Sequence, residues 1–437
     1  MSASSPSLLF RGGRLIPEYN QTPETASVRI EDGRIAAIGP DAEGPADQVI
    51  DLNQHLIMPG LIDLYCNFRE PGNGQKGTIA SESLAAARGG FTTVCAAPET
   101  SSVNDSGAVT HLIRDIALAR GSTRVLPIGA ATRGLAGEHL SDMVGLMNAG
   151  CVAVGQFQHS MISAKVLYRC MAYARTFGIT LMLRPFNHSL VGDGVAHDGL
   201  VAGRLGLAGV PSVAETSAVM EMLLLAEETG VHLHLSQLSC ARSVEMIAQA
   251  KARDVAVTCD VAMHQLLLTE SVLAGFDGRY HLQPPLRTEE DRLALLAGVR
   301  SGVIDAIVSQ HQPHDPAAKS APFAETGEGL STLETVISMG LKLVNDGELE
   351  LPSLLRSLTA GPAAVLRRTA RLDVGSEADL CVVDTEHSWR AGPENLVSMG
   401  RHSPLPDTAL PGKVDYTVMG GRLVWQPGMA PGAQVNH

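Results

Sequence analysis

The chain is poor in the features that several common classes of protein require. Lys and Arg (33) are outnumbered by Asp and Glu (46), which gives a formal net charge of −13 and argues against the basic face of a nucleic-acid-binding domain. No apolar run reaches the ~18 residues that a membrane span needs. The seven Cys show no Cys-x-x-Cys spacing, so they predict reduced thiols rather than disulfides or a zinc knuckle.

Two further absences narrow the class. The first ten residues contain no basic segment followed by an apolar one, so no secretory signal is predicted and a cytoplasmic location is expected. Aromatic residues make up only 4% of the chain, whereas hydrophobic residues make up 45% and Gly numbers 44. With 437 residues, this composition predicts a soluble α/β protein large enough for a barrel and a satellite domain.

Both ends of the chain are rich in short β-strand patterns bounded by turn residues. Strands are predicted at 8–10, 27–30, 35–38 and 48–52, and again at 378–384, 413–419 and 422–425. Two β-rich ends around a different middle predict one small composite β domain, built from residues 1–58 and 371–437.

Between these ends, apolar strand patterns alternate with helical patterns eight times. The strands are predicted at 61–65, 92–97, 124–130, 152–156, 180–184, 232–237, 256–260 and 306–310. The helices that follow them are predicted at 79–88, 109–120, 140–148, 163–177, 213–229, 243–252, 289–300 and 330–345. Eight consecutive strand–helix units predict a TIM (β/α)8 barrel over residues 59–370, with its chemistry at the C-terminal strand ends.

Six segments, in order along almost the whole chain, carry a family resemblance. They are MPGLID (58–63), FREPG (68–72), TIASESLAAARGGFTTV (78–94), PPLRTEEDR (284–292), GVIDAIVSQHQPH (302–314) and SEADLCVVD (376–384). They resemble dihydroorotase, the cyclic-amide hydrolase of pyrimidine synthesis, and FREPG and PPLRTEEDR favour it over the related dihydropyrimidinases. The resemblance implies a barrel of the amidohydrolase type in which one or two zinc ions polarise the amide and activate water.

The resemblance also implies metal ligands at the ends of five strands, and here every one is replaced. The His-x-His pair of strand 1 becomes Tyr65-Cys66-Asn67, the Asp of strand 4 becomes Gln156-Phe157, the His residues of strands 5 and 6 become Arg184 and Gln237, and the Asp of strand 8 becomes Gln310. A phenol and neutral carboxamides are poor zinc ligands, and a guanidinium has no lone pair to offer. The sequence therefore predicts no metal, no cofactor and no proton shuttle.

The expected substrate pocket is only partly kept. Arg69 matches the family arginine that pairs with the substrate carboxylate, whereas Glu99 replaces an uncharged residue and Gln283 replaces an Asn. Arg69 could still bind a carboxylate or could form a buried ion pair with Glu99, and we favour the ion pair. His311 is expected to keep a hydrogen-bonding place in an inert pocket.

The remaining candidates for a relocated metal site have simpler interpretations. His232 and His234 are two residues apart on strand 6, and a structural or solvent-exposed role is favoured for both. His264 follows strand 7 and is a weaker candidate for an ion site. Cys66 alternates to the outer face of the barrel, where packing is expected.

The pattern of lost ligands predicts a non-catalytic protein. It resembles the inactive dihydroorotase-like chains that assemble with aspartate carbamoyltransferase, and it predicts self-association as a dimer and no nucleic-acid or membrane partner. Two alternatives remain open. One is an active cyclic amidohydrolase with a relocated metal or none, and the other is a sensor that binds a pyrimidine precursor in the barrel.

Overall fold

The computed structural model describes residues 6–158, 161 and 163–429, which form two eight-stranded sheets and a peripheral two-stranded ribbon. The strands are β1 (Leu8–Leu15), β2 (Glu24–Glu31), β3 (Arg34–Ile38), β4 (Gln48–Asp51), β5 (Leu56–Pro59), β6 (Leu61–Cys66), β7 (Phe91–Ala96), β8 (Arg124–Ala130), β9 (Ala153–Gln156), β10 (Leu181–Leu183), β11 (Ala196–His197), β12 (Gly209–Val210), β13 (Leu233–Leu235), β14 (Val257–Ala262), β15 (Ala306–Val308), β16 (Leu380–Arg390), β17 (Ala409–Met419) and β18 (Arg422–Trp425).

Along the chain, most of the α-helices connect consecutive strands of the second sheet. They are α1 (Ile79–Arg88), α2 (Gly107–Arg120), α3 (Met143–Ala149), α4 (Ala164–Thr176), α5 (His188–Val191), α6 (Leu200–Leu205), α7 (Val213–Thr229), α8 (Ala241–Lys251), α9 (Glu289–Ser301), α10 (Val336–Asn345), α11 (Leu351–Leu358) and α12 (Ala360–Val365). Within the part of the chain that the structure describes, no helix combines the length and the apolar character needed to cross a membrane.

The second sheet confirms the predicted TIM barrel. Its eight parallel strands are ordered β15-β14-β13-β10-β9-β8-β7-β6, so each barrel strand pairs with the barrel strand that precedes or follows it along the chain. The first and last strands meet through polar contacts: the amide of Asn67 donates to the carbonyl of His311 (2.8 Å), and the hydroxyl of Ser309 donates to Asp63 (2.5 Å). The barrel is therefore closed at this seam by a buried side chain as well as by backbone.

Both ends of the chain join in the other sheet, as predicted. Its main path runs β18-β17-β16-β5-β1-β2-β3, and β4 pairs with β1. The N-terminal and C-terminal parts meet where β5 runs antiparallel to β16, with Met58 opposite Cys381. The β domain is therefore a single sheet that neither end of the chain completes alone.

Strand β16 connects this sheet to the barrel, because its successive side chains pack into two different hydrophobic cores. Leu380 and Val382 point into a core confined to the β domain, whereas Cys381 and Val383 point into the core shared with the barrel helices. A strand places successive side chains on opposite faces, so β16 contributes to both cores at once. The two parts of the molecule thus share a continuous hydrophobic core.

Several barrel strands end earlier than the sequence pattern indicated. β13 ends at Leu235 and β15 at Val308, because Gln237 (φ 62°) and Gln310 (φ 50°) leave the sheet in the left-handed region. A non-glycine residue there costs of the order of 1–3 kcal/mol and is typical of functional sites. The last predicted helix also starts later, at Val336, because Leu330 is held in a bridge to His311.

Candidate functional site

The C-terminal ends of the barrel strands meet at one end of the barrel, which we call the barrel mouth, and an aromatic pair fills part of it. The rings of Tyr65 and Phe157 lie edge to face with centroids 4.9 Å apart, and both side chains are fully buried. The phenol oxygen of Tyr65 accepts a hydrogen bond from the amide of Gln312 at 3.2 Å. Burial raises the pKa of Tyr65 well above its ordinary value, so this side chain is a neutral phenol and not a phenolate ligand.

The end of strand β9 differs from the sequence prediction. Gln156 was the predicted replacement for the bridging Asp, but its side chain points away from the barrel interior. Its Oε1 accepts from the hydroxyl of Thr132 (2.7 Å), and its Nε2 donates to the carbonyl of Leu135 (3.3 Å). Phe157 faces the interior instead, so the position that faces the mouth carries an aromatic ring without any metal-binding atom.

The replacements on three other strands are linked by hydrogen bonds, either directly or through the backbone carbonyl of Gln283. The amide nitrogen of Gln310 donates to Oε1 of Gln237 and to the backbone carbonyl of Gln283, both at 2.8 Å. Arg184 donates to the same carbonyl at 2.9 Å, and its guanidinium lies over the ring of Phe186, 4.5 Å from the centroid. The structure therefore brings together three of the predicted positions as one packed polar cluster.

Little free volume remains beside this cluster. The cavity lined by Arg184, Phe186, Gln237 and Gln283, among others, measures about 20 Å³. A single water molecule needs ~10–15 Å³ on this measure, whereas sites for small organic ligands typically enclose ~300–1,000 Å³. This cavity accommodates about one water molecule.

Arg69 and Glu99 do not form the predicted ion pair, so that prediction is wrong. Nε of Arg69 donates to the carbonyl of Pro313 and its Nη2 lies 3.0 Å from Nε2 of His314. Glu99 has both carboxylate oxygens buried and neither accepts a hydrogen bond from the described residues. Burial raises the pKa of Glu99 to about 7, against the opposing effects of nearby backbone amides and of Arg184. The loop backbone holds Arg69 through Pro313 instead.

His311 lies outside the barrel mouth, which corrects its place among the pocket residues. Its Nδ1 is 3.0 Å from the backbone amide of Thr332 and accepts that hydrogen bond, so its Nε2 carries the proton and donates to Glu82 at 2.8 Å. Nε2 thus anchors helix α1 through Glu82, and Nδ1 holds the loop at Thr332. Asn67 has a local role too, since its Oδ1 accepts from the amide of Arg69 at 3.0 Å.

The predicted histidine candidates separate into different environments. His232 is exposed and precedes β13, so it does not share a strand face with His234. His234 is fully buried between Thr258 and Asp260, at 2.8 Å from each. Burial lowers the pKa of His264 to about 4, and neither of its ring nitrogens has a hydrogen-bond partner among the described residues. Cys66 lies on the outer face in the core shared with the helices, as expected.

Sequence reasoning missed two buried carboxylates near the mouth. Asp63 accepts from both the amide and the hydroxyl of Ser309, and burial raises its pKa to about 7. Asp260 accepts from the amide of Gln237 at 2.6 Å as well as contacting His234. Each Asp interrupts an apolar strand, and that interruption was the signal that could have pointed to them.

The residues of the mouth do not fit the zinc site that the fold family implies. Zinc in proteins takes imidazole, thiolate and carboxylate ligands, whereas the mouth presents the Tyr65 phenol, carboxamides and the Arg184 guanidinium. Within the described ranges, three or more potential metal-ligand residues converge only at a cluster in the β domain, which includes His55.

Comparisons with known proteins agree with this architecture. Residues 54–243 match the family model described as dihydro-orotase-like. A "Dihydroorotase-like protein" of Pseudomonas aeruginosa is 46% identical over 95% of this chain and 98% of its own length. A protein of Syntrophotalea carbinolica named "Dihydroorotase" is 39% identical over 96% of this chain and 99% of its own. The L-hydantoinase (dihydropyrimidinase) of Arthrobacter aurescens shares the fold, with a TM-score of 0.88 at 23% identity over 98% of both chains.

The chain belongs to the dihydroorotase-like family.

Proposed function

We propose that this chain is a non-catalytic member of the dihydroorotase-like family that serves as a structural subunit of aspartate carbamoyltransferase. The observation that carries the first half of this proposal is the packed polar cluster of Arg184, Gln237, Gln283 and Gln310. Where the family chemistry needs ligands and a proton shuttle, this chain has two carboxamides and a guanidinium that hydrogen-bond to one another or to the backbone carbonyl of Gln283.

The same cluster argues against a small-molecule sensor. A pyrimidine precursor would need a cavity far larger than the about 20 Å³ found beside Arg184. It would also meet the Glu99 carboxylate, which would repel an anionic ligand whenever it is ionised. The small cavity and this acid therefore both disfavour an anionic ligand at the cluster itself, whereas a larger cavity of about 750 Å³, lined by Leu135, Phe186 and Asn187 among others, includes none of the four cluster residues.

The main rival is an active cyclic amidohydrolase, and the names of several relatives favour it. Its direct test is hydrolysis of dihydroorotate by the purified chain, followed with and without added zinc. Turnover above the buffer rate, lost in a Gln310→Ala variant, would contradict the non-catalytic proposal. We expect none, because Gln310 cannot accept a proton at ordinary pH.

The partner is proposed from the family resemblance and from what the chain retains. The barrel, its closed seam and the shared core are intact although the catalytic side chains are replaced. A folded barrel without chemistry acts through its surface, and a stable contact would bury well over ~1,000 Å². The natural partner in the resemblance is aspartate carbamoyltransferase.

Co-expression with the aspartate carbamoyltransferase of the same genome tests this proposal. Light scattering is expected to show one large hetero-oligomer, and the transferase is expected to lose activity or assembly when this chain is omitted. A matched control is the Gln310→Asp variant, which changes the buried mouth and is expected to leave assembly unchanged. Two separately eluting species, with a fully active transferase alone, would refute the partnership.

A further inference from the structure

A cluster of one histidine and two aspartates lies in the β domain, where the two ends of the chain meet. His55 belongs to the turn between β4 and β5, Asp384 lies in β16 and Asp415 in β17. Each offers one potential ligand atom, and these atoms all lie within 4.8 Å of one another. The site therefore joins the N-terminal part of the sheet to both long C-terminal strands.

Irregularities in the sheet bring the two carboxylates together. The pairing of β16 with β17 passes from Val382 opposite Tyr416 to Val383 opposite Val414, so Asp415 is the extra residue of a bulge. Such bulges re-aim a side chain relative to the regular ladder. The register breaks again directly after Asp384, so both carboxylates lie at deviations from regular strand geometry.

Asp384 is held in place by backbone donors. Its Oδ1 accepts hydrogen bonds from the amides of Glu386 (3.0 Å) and His387 (3.1 Å), which leaves Oδ2 facing His55. A carboxylate with one oxygen fixed by hydrogen bonds and the other free is the arrangement that orients metal ligands in proteins. The geometry thus orients one ligand before any ion is bound.

Within the described ranges, the histidine of the cluster lacks an aligned hydrogen-bond partner at its buried nitrogen. Nδ1 of His55 is buried and lies 3.1 Å from Oδ2 of Asp415, yet it has no aligned hydrogen-bond partner among the described residues. Nε2 of the same ring is 3.7 Å from Oδ2 of Asp384, beyond hydrogen-bond distance. Burial raises the pKa of Asp415, with the nearby Asp384 adding to this effect and His55 and Lys413 opposing it. Three potential ligand atoms therefore converge, and one of them, Nδ1 of His55, is buried without an aligned partner among the described residues.

We propose that His55, Asp384 and Asp415 bind a divalent transition-metal ion of the zinc type. One imidazole nitrogen with two carboxylate oxygens suits zinc better than calcium or magnesium, which prefer oxygen ligands alone. The side chains are 15–25% exposed, so water completes the coordination. The bound ion clips the turn at residue 55 to β16 and β17 and stabilises the composite sheet.

The test is zinc titration of the full chain, stripped with a strong chelator, by calorimetry and by thermal unfolding. The wild type is expected to bind about one zinc ion per chain and to unfold at a higher temperature in its presence. His55→Asn and Asp415→Asn are each expected to weaken binding at least about tenfold. The matched control His111→Asn removes an exposed histidine on α2 and is expected to bind as the wild type does.

Three results would overturn the proposal: no zinc uptake by the wild type, equal uptake by the two cluster variants, or an equal response to magnesium. The two cluster variants change different elements, the turn at residue 55 and strand β17, so a folding defect in one leaves the other informative. Anomalous diffraction at the zinc edge provides a direct position for the ion. The outcome is independent of the proposed function, because the cluster lies in the β domain and the catalytic positions lie in the barrel.

Discussion

The buried Glu99 offers a sharp test of the closed barrel mouth. Its two oxygens accept no hydrogen bond from the described residues, and burial raises its pKa from 4.5 to about 7. A carboxyl group that is neutral in the folded chain but ionised in the unfolded chain stabilises the fold at low pH. That stabilisation is fully present below the ordinary pKa and is lost as the pH rises through about 7.

The size of the effect follows from this shift. Proton linkage gives up to about 3 kcal/mol of folding free energy lost between pH 4.5 and pH 7. The isosteric Glu99→Gln variant cannot ionise, so it is expected to match the wild type near pH 4.5. It is expected to be more stable than the wild type at pH 8, by up to about 3 kcal/mol.

Urea unfolding of both proteins at half-unit steps from pH 4.5 to pH 8 measures this difference, with thermal unfolding as a second readout. The exposed Glu138→Gln variant is the control, and its difference from the wild type is expected to stay small and flat. A Glu99→Gln variant that is less stable than the wild type at pH 8 would refute the reasoning. It would show that Glu99 is ionised in the fold and that Arg184 compensates it fully.

Three further predictions follow from the same contacts. The Asp415→Asn variant, in which the β-domain cluster is disabled, is expected to keep well under one zinc per chain after dialysis against a weak chelator; elemental analysis showing about one zinc would place a metal in the barrel. The double variant Tyr65→His with Asn67→His is expected to show no dihydroorotate hydrolysis above the buffer rate, because the guanidinium and the carboxamides remain; measurable turnover would contradict this interpretation of the mouth. Ser309→Ala is expected to lower the free energy of unfolding by about 1–3 kcal/mol, because Asp63 loses a buried donor; an unchanged urea midpoint would show that the seam does not depend on it.

The architecture was predictable from the sequence because it rests on patterns that repeat. Eight apolar runs followed by helical periods specify a barrel even when individual strand ends are misplaced. The composite β domain was predictable for a similar reason, since apolar and polar residues alternate with a period of two in the strands at both ends of the chain. The ends of β13 and β15 were not predictable. Both strands end where Gln237 and Gln310 adopt left-handed backbone, and a glutamine in the sequence gives no indication of that conformation.

The side chains of the mouth were predictable in identity but only partly in direction. At the end of β9, successive residues face opposite sides, so an error of one position exchanged Gln156 for Phe157. The supposed pair of Arg69 and Glu99 failed for another reason. Charge alone suggested that they meet, whereas the backbone carbonyl of Pro313 already accepts from Arg69. A comparison of side-chain types along the sequence cannot predict hydrogen bonds that side chains make to backbone carbonyls.

The backbone of the mouth indicates how the barrel keeps its shape with these side chains. Arg69, Gln237 and Gln310 all have left-handed backbone, with φ of 65°, 62° and 50°, a strain that persists only where the surrounding structure enforces it. Here Gln310 ties the end of strand β15 to Gln237 after β13, and the carbonyl of Gln283 receives both Gln310 and Arg184. These hydrogen bonds link strand ends that metal ligands would otherwise hold together. The strand ends are thus tied together by hydrogen bonds, although Nε2 of Gln237 and Oε1 of Gln310 are buried without a partner among the described residues. The cost of these two unpaired atoms and of the left-handed backbone must be offset by the packing around them.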